Sequence, residues 1–375
     1  MSTPTEIYSP GLEGVIAGET AISTVTGGLR YRGYPVTELA EKSTFDEVAY
    51  LLLHGELPTR SQLTEMQKRL AAAQKLPSVL SDLLKRLPKD AIPMDVLRTS
   101  VSMLALYDPE VEDGSRAANL RKAERLLAQI PLIIAEYYRA TKGQPAVTPK
   151  PELGFAANML YVLRGTPASA LDAKAFDVSL ILYAEHEFNA STFAARVVCS
   201  TESDLHASIT AAISALKGRL HGGANEKVMD MLLATGGPDK AEGWIRSALA
   251  RNVKIPGFGH RVYKHGDVRA KVLKEYAIQA AQRAGTTQWE TTAEIIEKVL
   301  ETEKNLFPNL DWPAGRLYHA LGLEVPLYTP FFVASRVTGW AAHVMEQMEN
   351  NKIIRPRGLY SGPEEKHVTP IEQRG

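Results

Sequence analysis

Three short stretches of this chain combine residues that move protons with residues that fix the backbone. Leu220-His221-Gly222-Gly223-Ala224-Asn225 sets a histidine ahead of two glycines, where main chain can approach a ligand closely. Pro256-Gly257-Phe258-Gly259-His260 closes a glycine-rich loop on a second histidine, and the free N–H groups of such a loop can cradle an anion or a carbonyl. Pro308-Asn309-Leu310-Asp311-Trp312-Pro313 holds an aspartate between prolines beside an aromatic ring. That rigidity suits a positioned base, and an apolar neighbour raises the pKa of such a carboxyl. Taken singly, each stretch more often serves structure: a satisfied histidine, a helix cap, a plain loop. Their order and surroundings give them joint weight as two histidines and one carboxylate sharing acid and base work.

Other chemistries lose ground. Gly257-Phe258-Gly259 runs into His260-Arg261-Val262 and lacks the third glycine of a dinucleotide fingerprint, and no Walker lysine motif is present. His186-Glu187-Phe188-Asn189 is followed by Ala190, so the two-histidine zinc helix is absent. No G-x-S-x-G elbow occurs.

The elements that must hold these residues are mostly helices. Ala21–Thr26 and Leu29–Arg32 favour strands around Gly27-Gly28 and predict a small N-terminal hairpin. Thr44 and Glu47 form a capping box ahead of Phe45, Val48, Ala49 and Leu52 at helical spacing. Pro58, Pro77, Pro88 and Pro93 cut the next stretch into short elements, and Met94–Tyr107 and Ala118–Ala140 read as helices. Ile209, Ala212, Ile213 and Leu216 mark one face of a helix running into Gly218, and a mixed helical region spans Arg269 to Asn305. Val333, Val337, Val344, Met345 and Met348 mark one face of a long helix near the end. The polar tail beyond Arg355, with Pro356, Pro363 and Pro370, reads as a frayed end or an extended arm lying on something else. With no alternation of strands and helices, the fold class is all-α.

Bulk composition, 45% hydrophobic and 23% charged, is that of an ordinary globular protein. At roughly 100–200 residues per domain, 375 residues imply two domains. Forty-three basic side chains balance forty-three acidic ones, which argues against a nucleic-acid partner. The single cysteine, Cys199, cannot form an intrachain disulfide and reads as a small buried hydrophobe. The first residues carry no signal pattern, and no apolar run approaches the ~20 residues of a membrane span. These features predict a cytoplasmic protein without a membrane partner.

With the proton-moving residues in place, the chain resembles the citrate synthase family, including its 2-methylcitrate synthase branch. The resemblance runs from about Gly11 to Gly362. It rests on Tyr31-Arg-Gly-Tyr34, His186-Glu-Phe-Asn-Ala-Ser191, His221-Gly-Gly-Ala-Asn225, Gly257-Phe-Gly-His260, Pro308-Asn-Leu-Asp311 and Ile354-Arg-Pro356, in family order.

It implies a helical homodimer. A large domain would take residues 1–221 and 326–375, and a small domain residues 222–325. The activity implied is condensation of acetyl-CoA with oxaloacetate and hydrolysis of the citryl thioester. The rival within the family is 2-methylcitrate formation from propionyl-CoA, or both activities. Outside it stands a non-catalytic helical scaffold, which should have lost one of His221, His260 or Asp311; all three are present.

By the same resemblance Asp311 is the general base. His221 hydrogen-bonds the thioester oxygen as the enol forms, and His260 gives a proton to the oxaloacetate carbonyl. Arg269, Arg336 and His186 bind oxaloacetate, with Arg355 reaching across the dimer. Arginine suits this because its planar fork grips carboxylates. Judged without the family, Arg336 reads as a surface ion pair and His186 as a buried helix histidine. Val253, Lys254, Ile255, Pro256 and Gly257 match the CoA adenine segment. Lys254, Arg261 and Lys264 are nearby cations for its phosphates, and Arg69 is a further candidate facing the site. The CoA thioester is a substrate, so the resemblance implies no separate cofactor and no metal.

Overall fold

A computed structural model describes residues 8–259, 263 and 266–374. The expectation for His260 therefore lies outside the described residues, as do those for Arg261 and Lys264.

The amino-terminal region forms three short antiparallel strands, β1 (Ser23–Thr24), β2 (Arg30–Tyr31) and β3 (Tyr34–Pro35), rather than a two-stranded hairpin. Gly27 and Gly28 turn the chain between the first two with φ of 71° and 108°. Gly33 (φ 91°) turns it again, adding the strand that the sequence pattern did not announce.

Helices account for most of the remainder. The first eight are α1 (Val36–Lys42), α2 (Phe45–His54), α3 (Arg60–Ala73), α4 (Ser78–Arg86), α5 (Pro93–Leu104), α6 (Arg116–Thr141), α7 (Phe155–Arg164) and α8 (Ala170–Tyr183). Then come α9 (Ala190–Cys199), α10 (Leu205–Leu216), α11 (Ala224–Thr235), α12 (Pro238–Ala250), α13 (Val268–Ala284), α14 (Gln288–Lys304), α15 (Asp311–Ala320) and α16 (Tyr328–Glu349). None of them is long and apolar enough to cross a membrane.

Local chemistry explains their ends. At α2 the Thr44–Glu47 capping box forms reciprocally, and Gly55 closes the helix in the left-handed region at φ 101°. Thr59 and Gln62 repeat the box at α3, and Asp267 caps α13. Each such cap is worth about 1 kcal/mol against alanine.

The centre of the molecule is α16. Its apolar residues suggest a single buried face, yet every residue from Tyr328 to Met345 is buried. A helix enclosed all round sits inside the fold, and α16 packs on α2, α6, α8, α9 and α10. Helices α11 to α15 pack mainly among themselves: α12 on α14, and α13 and α11 on α15. They meet the rest through α13 on α1 and α8, α15 on α8, and α11 on α16.

Candidate active site

His221 stands on the turn that follows α10. The Gly222 N–H donates to the Leu216 carbonyl at 2.9 Å, folding the chain back over the helix end. A Cβ at position 222 would lie 2.5 Å from that carbonyl oxygen, so only glycine makes the turn. The histidine is thereby aimed at the start of α9. There the Ser191 N–H donates to His221 Nε2 at 3.2 Å, with the Ser191 hydroxyl 2.8 Å from the same nitrogen. Trp340 Nε1 on α16 donates to Ser191 Oγ at 3.1 Å, holding that hydroxyl in place.

An N–H directed at Nε2 makes it an acceptor, which leaves the ring proton on Nδ1. Burial, and then the Arg336 guanidinium, push the His221 pKa down to about 4. His221 is therefore a neutral imidazole with one N–H to offer.

Asp311 opens α15. The loop before it is laced to the glycine loop: Gly259 N–H donates to Phe307 O at 2.9 Å, Asn309 N–H to Gly257 O at 2.9 Å, and Asn309 Nδ2 to Gly259 O at 3.0 Å. Gly257, at φ 79°, has no room for a side chain, since a Cβ would come 2.7 Å from Val228 and 3.0 Å from Trp312. Tyr183, the last residue of α8, donates its hydroxyl to Asp311 Oδ1 at 2.7 Å. Burial raises the Asp311 pKa to about 6, although Tyr183, Arg269 and Arg336 all pull the other way. A carboxylic acid balanced near neutrality is suited to taking and returning a proton.

The Phe332 ring joins these groups. It lies 4.2 Å from the Tyr183 ring and 6.5 Å from the His221 ring, centroid to centroid, and the Arg336 guanidinium sits 4.6 Å above it. Arg336 is 2% exposed and donates from Nε to the Tyr183 carbonyl at 2.6 Å. It is thus a buried cation rather than a member of a surface ion pair. Among the described residues no carboxylate comes within ion-pair distance of it, and burial draws its pKa down to about 10 even with Glu185 opposing.

Arg269 differs. Asp267 grips it at two points, Oδ1 at 3.0 Å from Nε and Oδ2 at 2.8 Å from NH2, while NH1 is directed at the Leu182 carbonyl at 3.5 Å. Burial would lower its pKa, but Asp267 more than offsets this and holds it above the ordinary value. His186 is buried on the turn between α8 and α9, with Nε2 3.0 Å from the Tyr263 hydroxyl. Tyr263 in turn lies beside Arg269, whose guanidinium is 5.9 Å from the ring.

The structure thus brings His221, Asp311, Arg336, Arg269 and His186 into one connected group. Arg355 is not part of it: it is exposed on the extended segment after α16. Arg69 is committed elsewhere, in a two-point pair with Glu124 at 2.7 Å for both contacts. Val253 and Lys254 are exposed between α12 and the glycine loop, whereas Ile255 and Gly257 are buried and Pro256 half-buried. Sequence reasoning missed Tyr183, Ser191 and Trp340 as partners that hold Asp311 and His221. The one signal for Tyr183 and Trp340 is a polar tip on an aromatic ring, whereas Ser191 stands among the polar Asn189 and Thr192 and is named only as the end of a family motif.

Comparison with known proteins gives a consistent result. The family model described as citrate synthase, C-terminal domain, matches residues 11–357. Citrate synthase 2 of Bacillus subtilis is 44% identical over 366 residues, covering 97% of this chain and 98% of its own length. The 2-methylcitrate synthase of Mycobacterium tuberculosis is 45% identical over 377 residues, covering 98% of this chain and 94% of its own. A solved ternary complex of the citrate synthase from Thermoplasma acidophilum with carboxymethyl coenzyme A and oxaloacetate superposes with a TM-score of 0.93 at 33% identity. It covers 99% of this chain and 100% of that one.

Proposed function

The chain belongs to the citrate synthase family of acyltransferases, and from that premise we propose that it condenses acetyl-CoA with oxaloacetate and hydrolyses the resulting thioester to citrate and CoA. The observation that carries this reading is the pairing of a buried carboxyl titrating near 6 with a histidine kept neutral. Both are grouped with Arg336, a buried arginine that has no ion-pair partner among the described residues.

The chemistry follows from those states. The α-carbon of a thioester is a very weak acid. Asp311, as carboxylate, takes the proton, and the Nδ1–H of neutral His221 hydrogen-bonds the thioester oxygen as charge develops on it. A neutral donor stabilises the enol without being consumed as an acid. The nucleophilic carbon then attacks the keto carbon of oxaloacetate, whose oxygen receives a proton from His260. Water cleaves the citryl thioester and CoA leaves. Arg336 takes a substrate carboxylate, and Arg269 and His186 complete the grip. Asp267 fixes the plane of the Arg269 guanidinium, so little side-chain freedom is lost on binding.

In this reading residues 222–325 form a small domain that closes on a large domain of residues 1–221 and 326–375. Closure assembles the CoA site along Val253–Gly257 and excludes water until condensation is complete. Arg355, exposed on its arm, is supplied to the site of a second copy in a homodimer. The enzyme needs no resident cofactor or metal, and its compartment is the cytoplasm.

A second reading is favoured by the relatives, which include a 2-methylcitrate synthase at the same level of identity. One methylene is worth only about 1–3 kcal/mol of discrimination in a pocket, so propionyl-CoA is a second substrate or the preferred one. Thiol release from acetyl-CoA and from propionyl-CoA, each with and without oxaloacetate, tests the proposal. Oxaloacetate-dependent release favouring acetyl-CoA supports citrate synthesis. A propionyl preference moves the enzyme to the methylcitrate branch. No dependence on oxaloacetate with either thioester overturns the reading.

A further inference from the structure

Behind the substrate group lies a chain of charged and polar side chains, buried at Glu185, His343 and Arg196, that the proposed chemistry does not use. It starts at Glu185, fully buried beside His186. Glu185 Oε1 accepts from the Ser23 hydroxyl at 3.0 Å and lies 2.9 Å from His343 Nε2 on α16. The other face of the His343 ring is met by Arg196 of α9, whose Nε donates to Nδ1 at 2.9 Å. Arg196 continues to Gln347 Oε1 at 3.0 Å and to the Glu346 carboxylate, and Glu346 Oε1 accepts from the Ala21 N–H at 2.8 Å.

The ring in the middle is chemically specific. Arg196 donating to Nδ1 leaves the His343 proton on Nε2, directed at Glu185. A neutral imidazole therefore offers a donor to an anion on one side and a lone pair to a cation on the other. It joins two buried charges without adding a third. The chain then alternates in sign: Arg336, Glu185, His343 (neutral), Arg196, Glu346. Burial alone would push the Glu185 carboxyl up, but His343, Arg336 and Ser23 together hold it below the ordinary carboxylate value.

The spacing on α16 is equally telling. Arg336, Gly339, Trp340, His343, Glu346 and Gln347 recur three or four residues apart and share one side of the helix. At Gly339 the helix backbone meets the turn directly: a Cβ there would collide with Glu185 Oε2 and lie 2.5 Å from the Ala184 carbonyl. From the same side Arg336 reaches the substrate group, and Trp340 reaches Ser191, which holds His221. Ser23 ties the turn a second time by accepting from the Glu187 N–H at 2.9 Å, with Glu187 at φ 52°.

We infer that His343, flanked by Glu185 and Arg196, is a positioning residue for oxaloacetate. It fixes the register of α16 against α9 and the 184–187 turn, and so places Arg336 and His186 for the substrate. The inference rests on the proposed reaction but is read out separately from it.

The test uses full-length enzyme with oxaloacetate and acetyl-CoA as the probes, and pairs steady-state kinetics with calorimetric titration of oxaloacetate alone. His343→Leu removes donor and acceptor together and is expected to raise the oxaloacetate KM and Kd about tenfold or more, with kcat within about threefold. His343→Gln, which supplies one donor and one acceptor, should restore both constants to within about threefold of the wild type. Ser23→Ala, a milder change that leaves the core filled, should raise the oxaloacetate KM about threefold to fivefold. It carries the test if His343→Leu fails to fold.

A lower melting temperature with an unchanged oxaloacetate KM and Kd in both His343→Leu and Ser23→Ala would reduce the chain to a purely structural role and overturn the inference. So would equal losses of kcat and kcat/KM with KM constant, because that pattern marks a group acting in the transition state. If the wild type released no thiol in response to oxaloacetate, the functional reading would fail. The calorimetric comparison would still report on positioning.

Discussion

The turn after α10 and the start of α15 present the same physical situation to opposite kinds of acid. Each carries one titratable group into a buried setting, His221 in the first and Asp311 in the second. Burial disfavours charge on both, so it lowers the histidine to about 4 and raises the aspartate to about 6. The difference is instructive because one cause yields two functional states. In the proposed reaction the histidine is a neutral donor across the working range, and the aspartate is a base that crosses its titration point at its lower edge. Neither state needs a special partner to create it. The partners that are present choose orientation: Ser191 selects the tautomer of His221, and Tyr183 anchors one oxygen of Asp311.

The largest effect expected from breaking this comparison is chemical. Asp311→Asn keeps the shape and the Tyr183 contact but removes the base, so kcat should fall about 10²–10⁴-fold in the thiol-release assay. Ser191→Ala takes away the hydroxyl that bridges Trp340 and His221, leaving the ring held at Nε2 by the main-chain N–H of residue 191 alone. A loss of about tenfold in kcat, with acetyl-CoA KM little changed, is the expected result.

Tyr183→Phe sharpens the other half. The hydroxyl now lowers the Asp311 pKa, so its loss should move the acid limb of the pH–rate profile upward, above the wild-type limb near 6. A downward move would contradict the role given to Tyr183.

The smallest effect is in stability, and its sign separates the two regions. Asp311 binds its proton more tightly folded than unfolded. Its stabilising contribution is complete below its ordinary pKa and is lost as pH rises through about 6. His221 binds its proton less tightly folded, so its contribution is present above the ordinary histidine value and is lost as pH falls towards about 4. The two slopes oppose each other between about 4 and 6 and largely cancel. Asp311→Asn should uncover the histidine slope. The variant should be about 1–3 kcal/mol more stable than the wild type at pH 8, with the advantage shrinking as pH falls through 6, as read from urea melts across pH. A constant offset at every pH would refute the shifted carboxyl.

What the sequence disclosed, and what it withheld, follows the range of the interactions. Thr44 with Glu47 announces α2 because the cap is made within four residues. His221-Gly222-Gly223 and Pro308–Asp311 stand out because backbone constraint and chemistry share one short stretch. Tyr183 did not, since the carboxyl it anchors is 128 positions away. The link from Glu185 to His343 spans 158 positions, and nothing near His343 marks it as more than one histidine in a helix. Arg336 was legible only through the family, because the apolar pattern of α16 showed one buried face while the folded chain encloses the helix on every side. The third strand was hidden for a local reason: Arg32-Gly33 reverses the chain with both residues at positive φ, a conformation that arginine rarely adopts.

Asp311 is the proposed base of an oxaloacetate-dependent condensation. The most direct test is thiol release from acetyl-CoA as a function of pH, with the wild type and Asp311→Asn side by side. The wild-type rate should depend on oxaloacetate and fall away below about pH 6, and the variant should be at least about 100-fold slower at every pH with substrate still bound. An Asp311→Asn enzyme that kept more than about a tenth of the wild-type rate would contradict it.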